Sequence, residues 1–429
     1  MKIAVLGGGF AGLAAAHYLT KKGHQVTLIE KASVLGGLAV GFKAEGWDWP
    51  LERAYHHLFA SDKDILGLAE DVGFDQIFFR SVHSDSLYKV KNDYRIFPVD
   101  TPQDFLRFPL LPLVDKVRGA AVLAFLRFSP HLKLFDQITA EEFCRRYMGS
   151  KMWEVFIQDL FRKKFVNYAE KILTSWLWSR TVVRTKQLGY IRGGFQTFVE
   201  YLEKTLGNEG VTIKKNTTLE LLRKKDNLFS LQLLESSNNR STETFDVVVS
   251  TLPSPILNKV GEKVLPNTYL SKLKNLEYLS ALVIILETDK PILPTTYWLN
   301  ICAPDIPIMF VGQHTNFIDK KYYGGKNLAY AANYLRPDDP LLKQSDEEVA
   351  KHYISNIEKV TRYKLPVTRY WIFRAPFAQP VFDKNFLKNK PDFITPTKNF
   401  YVANLDMTYP YDRGTNYAVR LGRQVAEMI

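Results

Sequence analysis

Four glycines near the start of the chain form the pattern with the clearest chemical meaning. They follow an apolar run at residues 3–6 and precede a helical pattern that extends to about residue 22. Gly7 permits a tight turn, Gly9 lets backbone N–H groups reach a phosphate, and Gly12 allows a helix to pack closely on a strand. The sequence therefore predicts a nucleotide pyrophosphate site, lined by Gly7, Gly9, Phe10, Ala11 and Gly12.

An acidic residue stands where such a nucleotide needs one. A second apolar run at residues 25–29 ends at Glu30, about 20 residues beyond the glycines, where a carboxylate can accept from a ribose diol. Glycine-rich turns without a ligand are common, but the order strand, glycines, helix, strand and acid favours the nucleotide site. The first residues also look like a secretory signal, which the glycine spacing and the polar residues 17–22 argue against.

A second glycine pair, Gly36 and Gly37, lets the backbone approach the nucleotide again. With this pair the chain resembles the flavin-binding superfamily that includes flavin amine oxidases, protoporphyrinogen oxidase, carotenoid desaturases and UDP-galactopyranose mutase. The resemblance implies non-covalently bound FAD, and a closing helix at residues 415–426 whose N-terminus points at the flavin pyrimidine ring. Leu38 stands where many members have an arginine. The further cofactor-binding residues that the resemblance implies are Lys31, Gly36, Gly37, Leu38, Leu219, Asp406, Asn416 and Tyr417.

Two adjacent histidines are candidate catalytic residues. His56 and His57 lie in residues 52–59, a segment that passes over the isoalloxazine ring in the superfamily. In an extended run they point to opposite sides, so at most one can face the ring. Either could act as an acid or base near neutral pH, and the alternative is a structural histidine. Arg180 and Arg413 complete the candidates, because mutases of the superfamily hold a sugar diphosphate with arginines.

The glycine fingerprint with its acid occurs once, so a reductase with separate FAD and NAD domains is not expected. The resemblance implies an FAD-dependent oxidoreductase that oxidises or desaturates a bulky, lipophilic substrate by hydride transfer to flavin. The alternative is a non-redox sugar-nucleotide mutase similar to UDP-galactopyranose mutase. Asn404 stands where mutases have an arginine, which favours the oxidoreductase. The sequence does not identify the lysine that bridges to flavin in amine oxidases.

The elements that must position these residues are expected to alternate between two domains. The expected fold class is α/β, with a Rossmann-like FAD-binding domain interleaved with an α+β substrate domain. Residues 1–60, 186–262 and 391–429 are predicted to form the FAD-binding domain. Residues 61–185 are predicted to form a helical insertion and residues 263–390 a mixed β-sheet, which together make the substrate domain.

The two cysteines, Cys144 and Cys302, lack the spacing of a metal site or a redox pair. We interpret them as small buried apolar residues, and expect no metal site and a reducing, cytoplasmic location. The 429 residues are 46% hydrophobic, which is enough for a large core.

The net charge of +12 calls for an anionic partner or surface. Nucleic acid is not expected, because the basic residues form no single run and no recognition module appears. Residues 105–128 are both apolar and basic, and Asp115, Lys116 and Arg118 exclude an uncharged transmembrane span. The segment predicts either peripheral contact with the inner face of an anionic membrane or the apolar floor of the substrate domain. Apart from a small-molecule or lipid-like substrate, the sequence indicates no partner and no oligomeric state.

Overall fold

The computed structural model describes residues 1–429. Its strands are β1 Lys2–Leu6, β2 Gln25–Ile29, β3 Gly41–Phe42, β4 Leu51–Glu52, β5 Leu58–Phe59, β6 Ile77–Ser81, β7 Ser84–Val90, β8 Asp93–Pro98, β9 Gln187–Ile191, β10 Thr212–Lys214, β11 Thr217–Lys225, β12 Leu228–Glu235, β13 Arg240–Phe245, β14 Val247–Ser250, β15 Tyr278–Thr288, β16 Trp298–Cys302, β17 Phe310–Gln313, β18 Asn327–Leu335, β19 Val367–Pro380 and β20 Phe400–Val402. Its α-helices are α1 Phe10–Lys21, α2 Lys63–Asp71, α3 Pro102–Arg107, α4 Leu113–Phe128, α5 Ala140–Phe143, α6 Gln158–Phe165, α7 Thr174–Val183, α8 Gly194–Asn208, α9 Ser254–Val260, α10 Asn267–Lys274, α11 Asp346–Thr361, α12 Lys384–Asn389 and α13 Thr415–Glu427.

A five-stranded parallel sheet carries the glycine turn. Its order is β10-β2-β1-β14-β20, so strands from three distant parts of the chain lie side by side. Strand β14, between β1 and β20, is buried at every position, as expected for a parallel strand covered on both faces. Helix α13 packs against α1 so closely that a Cβ at Gly422 would lie 2.3 Å from the carbonyl oxygen of Ala11. This part confirms the predicted Rossmann-like fold, whereas the limits of the domains stay predictions.

The second large sheet has seven strands, parallel and antiparallel, in the order β19-β15-β18-β17-β16-β7-β8. The interior strand β15, next to the edge strand β19, is buried at all 11 positions, and its alternate side chains enter two different cores. Leu282, Ile284 and Leu286 pack with residues of α11, whereas Val283 and Ile285 face the main core of the molecule. The mixed sheet predicted for residues 263–390 is therefore present.

Three strands interrupt the segment that the sequence predicts to be helical. Strands β6, β7 and β8 lie within residues 61–185, and β7 pairs in parallel with β16 to extend the mixed sheet. A tight turn with Lys91 at φ +58° joins β7 to β8. The segment predicted as a helical insertion thus contains strands as well as helices, and the sequence does not indicate these strands because they are short and partly exposed and carry little apolar periodicity of their own.

Both cysteines are free thiols inside the protein, which confirms their interpretation as buried residues. Burial raises the pKa of the Cys302 thiol to about 12, so this thiol is protonated and unreactive at neutral pH. Among the helices, none is both long and apolar enough to cross a lipid bilayer.

Candidate functional site

The glycine turn between β1 and α1 forms a cradle of backbone N–H groups. Gly7 has φ +103°, and a Cβ at Gly12 would lie 1.9 Å from the Gly7 carbonyl oxygen, so both positions require glycine. Gly9 differs, because its φ of −78° suits any residue and its nearest neighbour is the Gly37 Cα, 3.7 Å from an added Cβ. The first N–H groups of α1 precede the first helical hydrogen bond, from Leu13 N to the Gly9 carbonyl oxygen, and are free to bind an anion.

The acidic residue and the second glycine pair meet this cradle. The Glu30 carboxylate accepts from Gly8 N at 2.7 Å and from Ala32 N at 2.8 Å. Gly36 N donates to the Gly8 carbonyl oxygen at 2.9 Å, and a Cβ at Gly37 would lie 3.0 Å from the Gly9 Cα. The structure thus brings together both glycine segments and Glu30. The two flanking residues predicted to bind the cofactor, Lys31 and Leu38, are exposed beside them.

Leu219, another residue predicted to bind the cofactor, lies near the same strand ends. Thr217 N, at the start of β11, donates to the Glu30 carbonyl oxygen at 2.9 Å. Leu219 follows at an irregularity in the pairing of β11 with β12 and is half-buried. The position of Leu219 is compatible with a contact to the cofactor, which stays a prediction.

The start of helix α13 contacts the start of α2. The side-chain oxygen of Asn416 accepts from Asp64 N at 2.8 Å and from Ile65 N at 3.1 Å, which caps α2. The ring of Tyr417 stacks on Tyr411 with centroids 4.6 Å apart. The predicted contacts of Asn416 and Tyr417 with the cofactor stay predictions. Because the side-chain oxygen of Asn416 already caps α2, only its amide nitrogen and its backbone could contact the cofactor.

Asp406 lies in a buried polar network beneath the loop that leads to α13. Its carboxylate accepts from the hydroxyls of Ser254 and Tyr278, and its other oxygen has no partner. Burial raises the pKa of Asp406 to about 6. Asn404 accepts from Asp406 N and donates to Ser254 and to the Leu252 carbonyl oxygen, so its amide stabilises this loop.

The two histidines contact different walls of the interior. His56 Nδ1 donates to the Ala54 carbonyl oxygen at 2.7 Å, and its ring lies 5.6 Å from that of Phe195. His57 lies instead 3.5 Å from the Tyr297 hydroxyl. Burial lowers the pKa of His56 to about 4 and that of His57 to about 3. Both rings are therefore uncharged at neutral pH. The sequence led us to expect that either histidine titrates near neutral pH, and their pKa values lie well below that.

A group of charged side chains lies next to these histidines. Asp412 Oδ2 is 2.9 Å from Lys164 Nζ and 3.6 Å from Arg180 Nη1. The guanidinium of Arg413 lies 5.1 Å from the ring centroid of Tyr334, and Lys164 approaches the same ring. Burial lowers the pKa of Lys164 to about 8. Sequence reasoning missed Lys164, because a lysine at the end of a short, basic helix gives no signal that separates it from solvated lysines.

A cavity of about 220 Å³ joins the glycine segment to this charged group. Its lining is mostly apolar and includes Gly37, Leu38, Tyr55, Tyr334 and Arg413. Beyond burial, the charge of Arg413 also lowers the pKa of His56, and that of Arg180 lowers the pKa of His57. Of the predicted catalytic residues, Arg413 lines the cavity beside Gly37, and Arg180 lies against Asp412 next to it.

Glu52 ties the hairpin after the second glycine pair to helix α8. Its buried carboxylate accepts from the Tyr190 hydroxyl at 2.7 Å and from Phe195 N at 2.6 Å. Burial raises the pKa of Glu52 from 4.5 to about 7.

This pKa predicts a pH-dependent stability difference between the wild type and Glu52→Gln. The folded protein holds the Glu52 proton more tightly than the unfolded chain, so stability is lost as pH rises from about 4.5 to about 7. Relative to Glu52→Gln, the free energy of unfolding of the wild type should fall by up to about 3 kcal/mol across that range. Urea unfolding at several pH values measures this, with the exposed Glu45→Gln as the matched control. A constant difference would show that Glu52 is ionised throughout.

A family model for flavin-containing amine oxidoreductases matches residues 10–429. Among curated relatives, zeta-carotene desaturase of Zea mays is 32% identical over 133 residues, which are 29% of this chain and 23% of the relative. Coproporphyrinogen III oxidase of Staphylococcus aureus is 22% identical over 61% of this chain and 62% of its own length. The 15-cis-phytoene desaturase of Glycine max is 23% identical over 100% of this chain and 79% of its own length. The chain thus matches less than two thirds of the length of the first two relatives.

Solved structures share the fold over the whole chain. An oxidoreductase from Methanosarcina mazei has a TM-score of 0.77 at 17% identity, with 100% of both chains covered. Cyclohexylamine oxidase from Brevibacterium oxydans has a TM-score of 0.73 at 13% identity, with 100% of this chain and 98% of that chain covered. These similarities confirm the fold class that the sequence predicts.

Proposed function

Since the chain belongs to the family of flavin-containing amine oxidoreductases, we propose that it is an oxidoreductase that binds FAD non-covalently. The observation that carries this proposal is the contact between the two glycine segments and Glu30. This contact leaves the N–H groups of the first turn of α1, just after Gly9, without a partner in the protein. Side chains at Gly7, Gly12 or Gly37 would fill or distort that cradle, so the residues present fit a dinucleotide.

The residues around the cradle would divide the work of holding FAD. The N-terminus of α1 would bind the pyrophosphate, and Glu30 would exchange a backbone partner for the ribose diol. The N-terminus of α13 would place its partial positive charge near the pyrimidine ring. When bound, FAD supplies the hydride acceptor, while the protein positions the substrate and excludes water. Because His56 and His57 are uncharged at neutral pH, we expect them to orient groups and not to act as strong acids.

The substrate that we propose is bulky and largely apolar. In support, the lining of the interior cavity is mostly hydrophobic, and the named relatives are carotenoid desaturases and a coproporphyrinogen oxidase. The rival function is a flavin-dependent sugar-nucleotide mutase, which the neighbouring arginines Arg180 and Arg413 favour. Asn404 argues against the mutase. Its amide forms hydrogen bonds within the protein, where it stabilises the loop before α13, and does not face a diphosphate as the mutase arginine would.

Anaerobic reduction of the FAD-loaded protein separates the two functions. We expect a lipophilic donor, tested first with phytoene and coproporphyrinogen III, to bleach the visible flavin absorbance, and oxygen or a quinone to restore it. Acid precipitation should release the flavin into the supernatant. Isomerisation of UDP-galactopyranose by the dithionite-reduced protein, without uptake of electrons, would overturn the proposal in favour of the mutase. Flavin that stays attached after denaturation would contradict non-covalent binding.

We also propose that helix α4 contacts an anionic membrane on the cytoplasmic side. Both interpretations of residues 105–128 find support, because Phe105, Phe108 and Leu111 are buried while the outer face of α4 is exposed. The exposed fractions of Val114 and Phe128 are 76% and 86%. Leu113, Val117 and Phe125 of α4 are exposed as well, as are Leu106 in α3 and Leu134 after α4, and the same segment carries the exposed basic residues Arg107, Arg118 and Arg127.

Vesicle sedimentation tests this membrane contact. The protein should sediment with phosphatidylserine-containing vesicles at low salt, less with neutral vesicles, and less as salt screens the basic residues. The double variant Val114→Ser/Phe128→Ser should reduce the bound fraction several-fold, since about 2 to 5 kcal/mol of apolar transfer free energy is lost. Ile394→Ser, at an exposed apolar residue elsewhere, is the matched control. Equal binding by both variants would contradict a role for α4.

A further inference from the structure

The proposed cofactor brings more negative charge to the glycine cradle than the cradle itself balances. Residues 7–14 contain no charged side chain, and the N-terminus of α1 supplies only about half an elementary positive charge. The Glu30 carboxylate adds a negative charge beside the cradle, 2.7 Å from Gly8 N. Leu38, which directly follows the second glycine pair, is apolar. A cation from another part of the chain would therefore stabilise a doubly charged pyrophosphate in this cradle.

Arg53 is a cation that lies close to the cradle. Its backbone N donates to the Val40 carbonyl oxygen at 3.0 Å, which fixes Arg53 against the segment that follows the second glycine pair. The side chain of Arg53 lines the interior cavity together with Gly37. A Cβ at Gly37 would lie 3.0 Å from the Gly9 Cα, so this wall of the cavity adjoins the cradle. Lys31, the cation that follows the acid in sequence, is exposed and does not line the cavity.

The residue before Arg53 anchors the backbone at this position. The buried carboxylate of Glu52 accepts from the Tyr190 hydroxyl and from Phe195 N, and Glu52 pairs with Gly41 in the hairpin of β3 and β4. The side chain of Arg53 therefore extends from a fixed point beside the cradle.

The guanidinium of Arg53 has no anionic partner in the protein. Its side chain is exposed, forms no ion pair and contacts the ring of Phe373, whose centroid lies 5.6 Å from Cζ. An aromatic ring orients a guanidinium but leaves its N–H donors free for oxygen acceptors. Arg374, which lines the same cavity, differs because it donates to the Asp346 carboxylate at 2.7 Å and to two carbonyl oxygens. Arg413, the third arginine of the lining, belongs to the charged group described above.

We propose that Arg53 binds the pyrophosphate of FAD and supplies the positive charge that the two glycine segments lack. This inference rests on the proposed function. A guanidinium presents its N–H donors as a planar fork, which fits two phosphate oxygens at once. The contact with Phe373 would keep that fork at the cavity wall, next to the N-terminus of α1.

Calorimetric titration of the apoprotein with FAD and with ADP tests this inference. ADP keeps the pyrophosphate and the adenosine of FAD but lacks the flavin. We expect Arg53→Gln to weaken the binding of both ligands by about tenfold or more, because each loses the same charge-assisted hydrogen bonds. The exposed Arg95→Gln is the matched control and should leave both affinities unchanged. Circular dichroism verifies that both variants are folded.

A second substitution returns the cation from another position. Leu38 lines the same cavity and is 38% exposed, so an arginine side chain has room there. We expect the double variant Arg53→Gln/Leu38→Arg to bind FAD and ADP several-fold more tightly than Arg53→Gln alone.

Three results would overturn the inference. The first is unchanged FAD affinity in Arg53→Gln, and the second is no recovery in the double variant. The third is weakened FAD binding with unchanged ADP binding, which would place Arg53 on the flavin and not on the pyrophosphate. A wild-type protein that binds no FAD would instead overturn the proposed function, so the two failures are distinct.

Discussion

Gly9→Val is expected to abolish flavin binding while leaving the protein folded. The Gly9 backbone is extended, and an added Cβ meets nothing closer than 3.7 Å, so the side chain fits the folded chain. It would, however, occupy the space through which the pyrophosphate reaches the N–H groups of α1. We expect at least a 100-fold loss of FAD affinity, which is about 2.7 kcal/mol or more.

Flavin titration and circular dichroism measure the two halves of this prediction. Gly67→Val is the matched control, because an added Cβ at this glycine of α2 has no neighbour within 4 Å. Gly12→Ala supplies the contrast, since its Cβ would lie 1.9 Å from a carbonyl oxygen and should prevent folding of the domain. Normal FAD affinity in Gly9→Val would place the cofactor elsewhere and remove the basis of the proposed function.

Asp412→Asn is expected to destabilise the protein by about 3 to 5 kcal/mol. The carboxylate is 9% exposed and Lys164 is 16% exposed, so the change leaves Lys164 and Arg180 without their compensating charge. Burial acts to raise the pKa of Asp412, but Lys164 and Arg180 outweigh it and hold that pKa below its usual value, so Asp412 stays ionised at neutral pH.

Urea unfolding of the apoprotein measures this loss. The exposed pair of Asp319 and Lys321, 3.9 Å apart, provides a matched control, and Asp319→Asn should change the free energy of unfolding by less than about 1 kcal/mol. If Asp412→Asn costs no more than Asp319→Asn, water reaches Lys164 freely and the charged group is not enclosed.

The sequence predicts the cofactor side of the site because its signals are local. Gly7, Gly12 and Glu30 have roles that depend on a turn, a helix start and a strand end, all within about 25 residues. The second glycine pair follows the same logic. These positions meet in the structure as their spacing predicts, and their backbone geometry explains why glycine is required at Gly7 and Gly12.

The catalytic side could be predicted only in part, because its properties arise from tertiary packing. The sequence identifies His56 and His57 as titratable residues, but their low pKa values come from burial by distant segments. Lys164 becomes distinctive only through Asp412, which is 248 residues away. Strands β6 to β8 are likewise fixed by pairing with β9 and β16, and their own short runs do not specify them.

The packing of α13 on α1 also sets when the protein can mature during synthesis. Lys22 Nζ, just after α1, donates to the Ala426 carbonyl oxygen near the end of α13, across 404 residues of chain. A ribosome adds roughly 5 to 20 residues per second, so the two helices emerge about 20 to 80 seconds apart. During that interval the apolar face of α1 and the strand positions beside β1 await partners that do not yet exist. We therefore expect nascent chains of this protein to depend on chaperones, and to capture flavin only after α13 has left the ribosome.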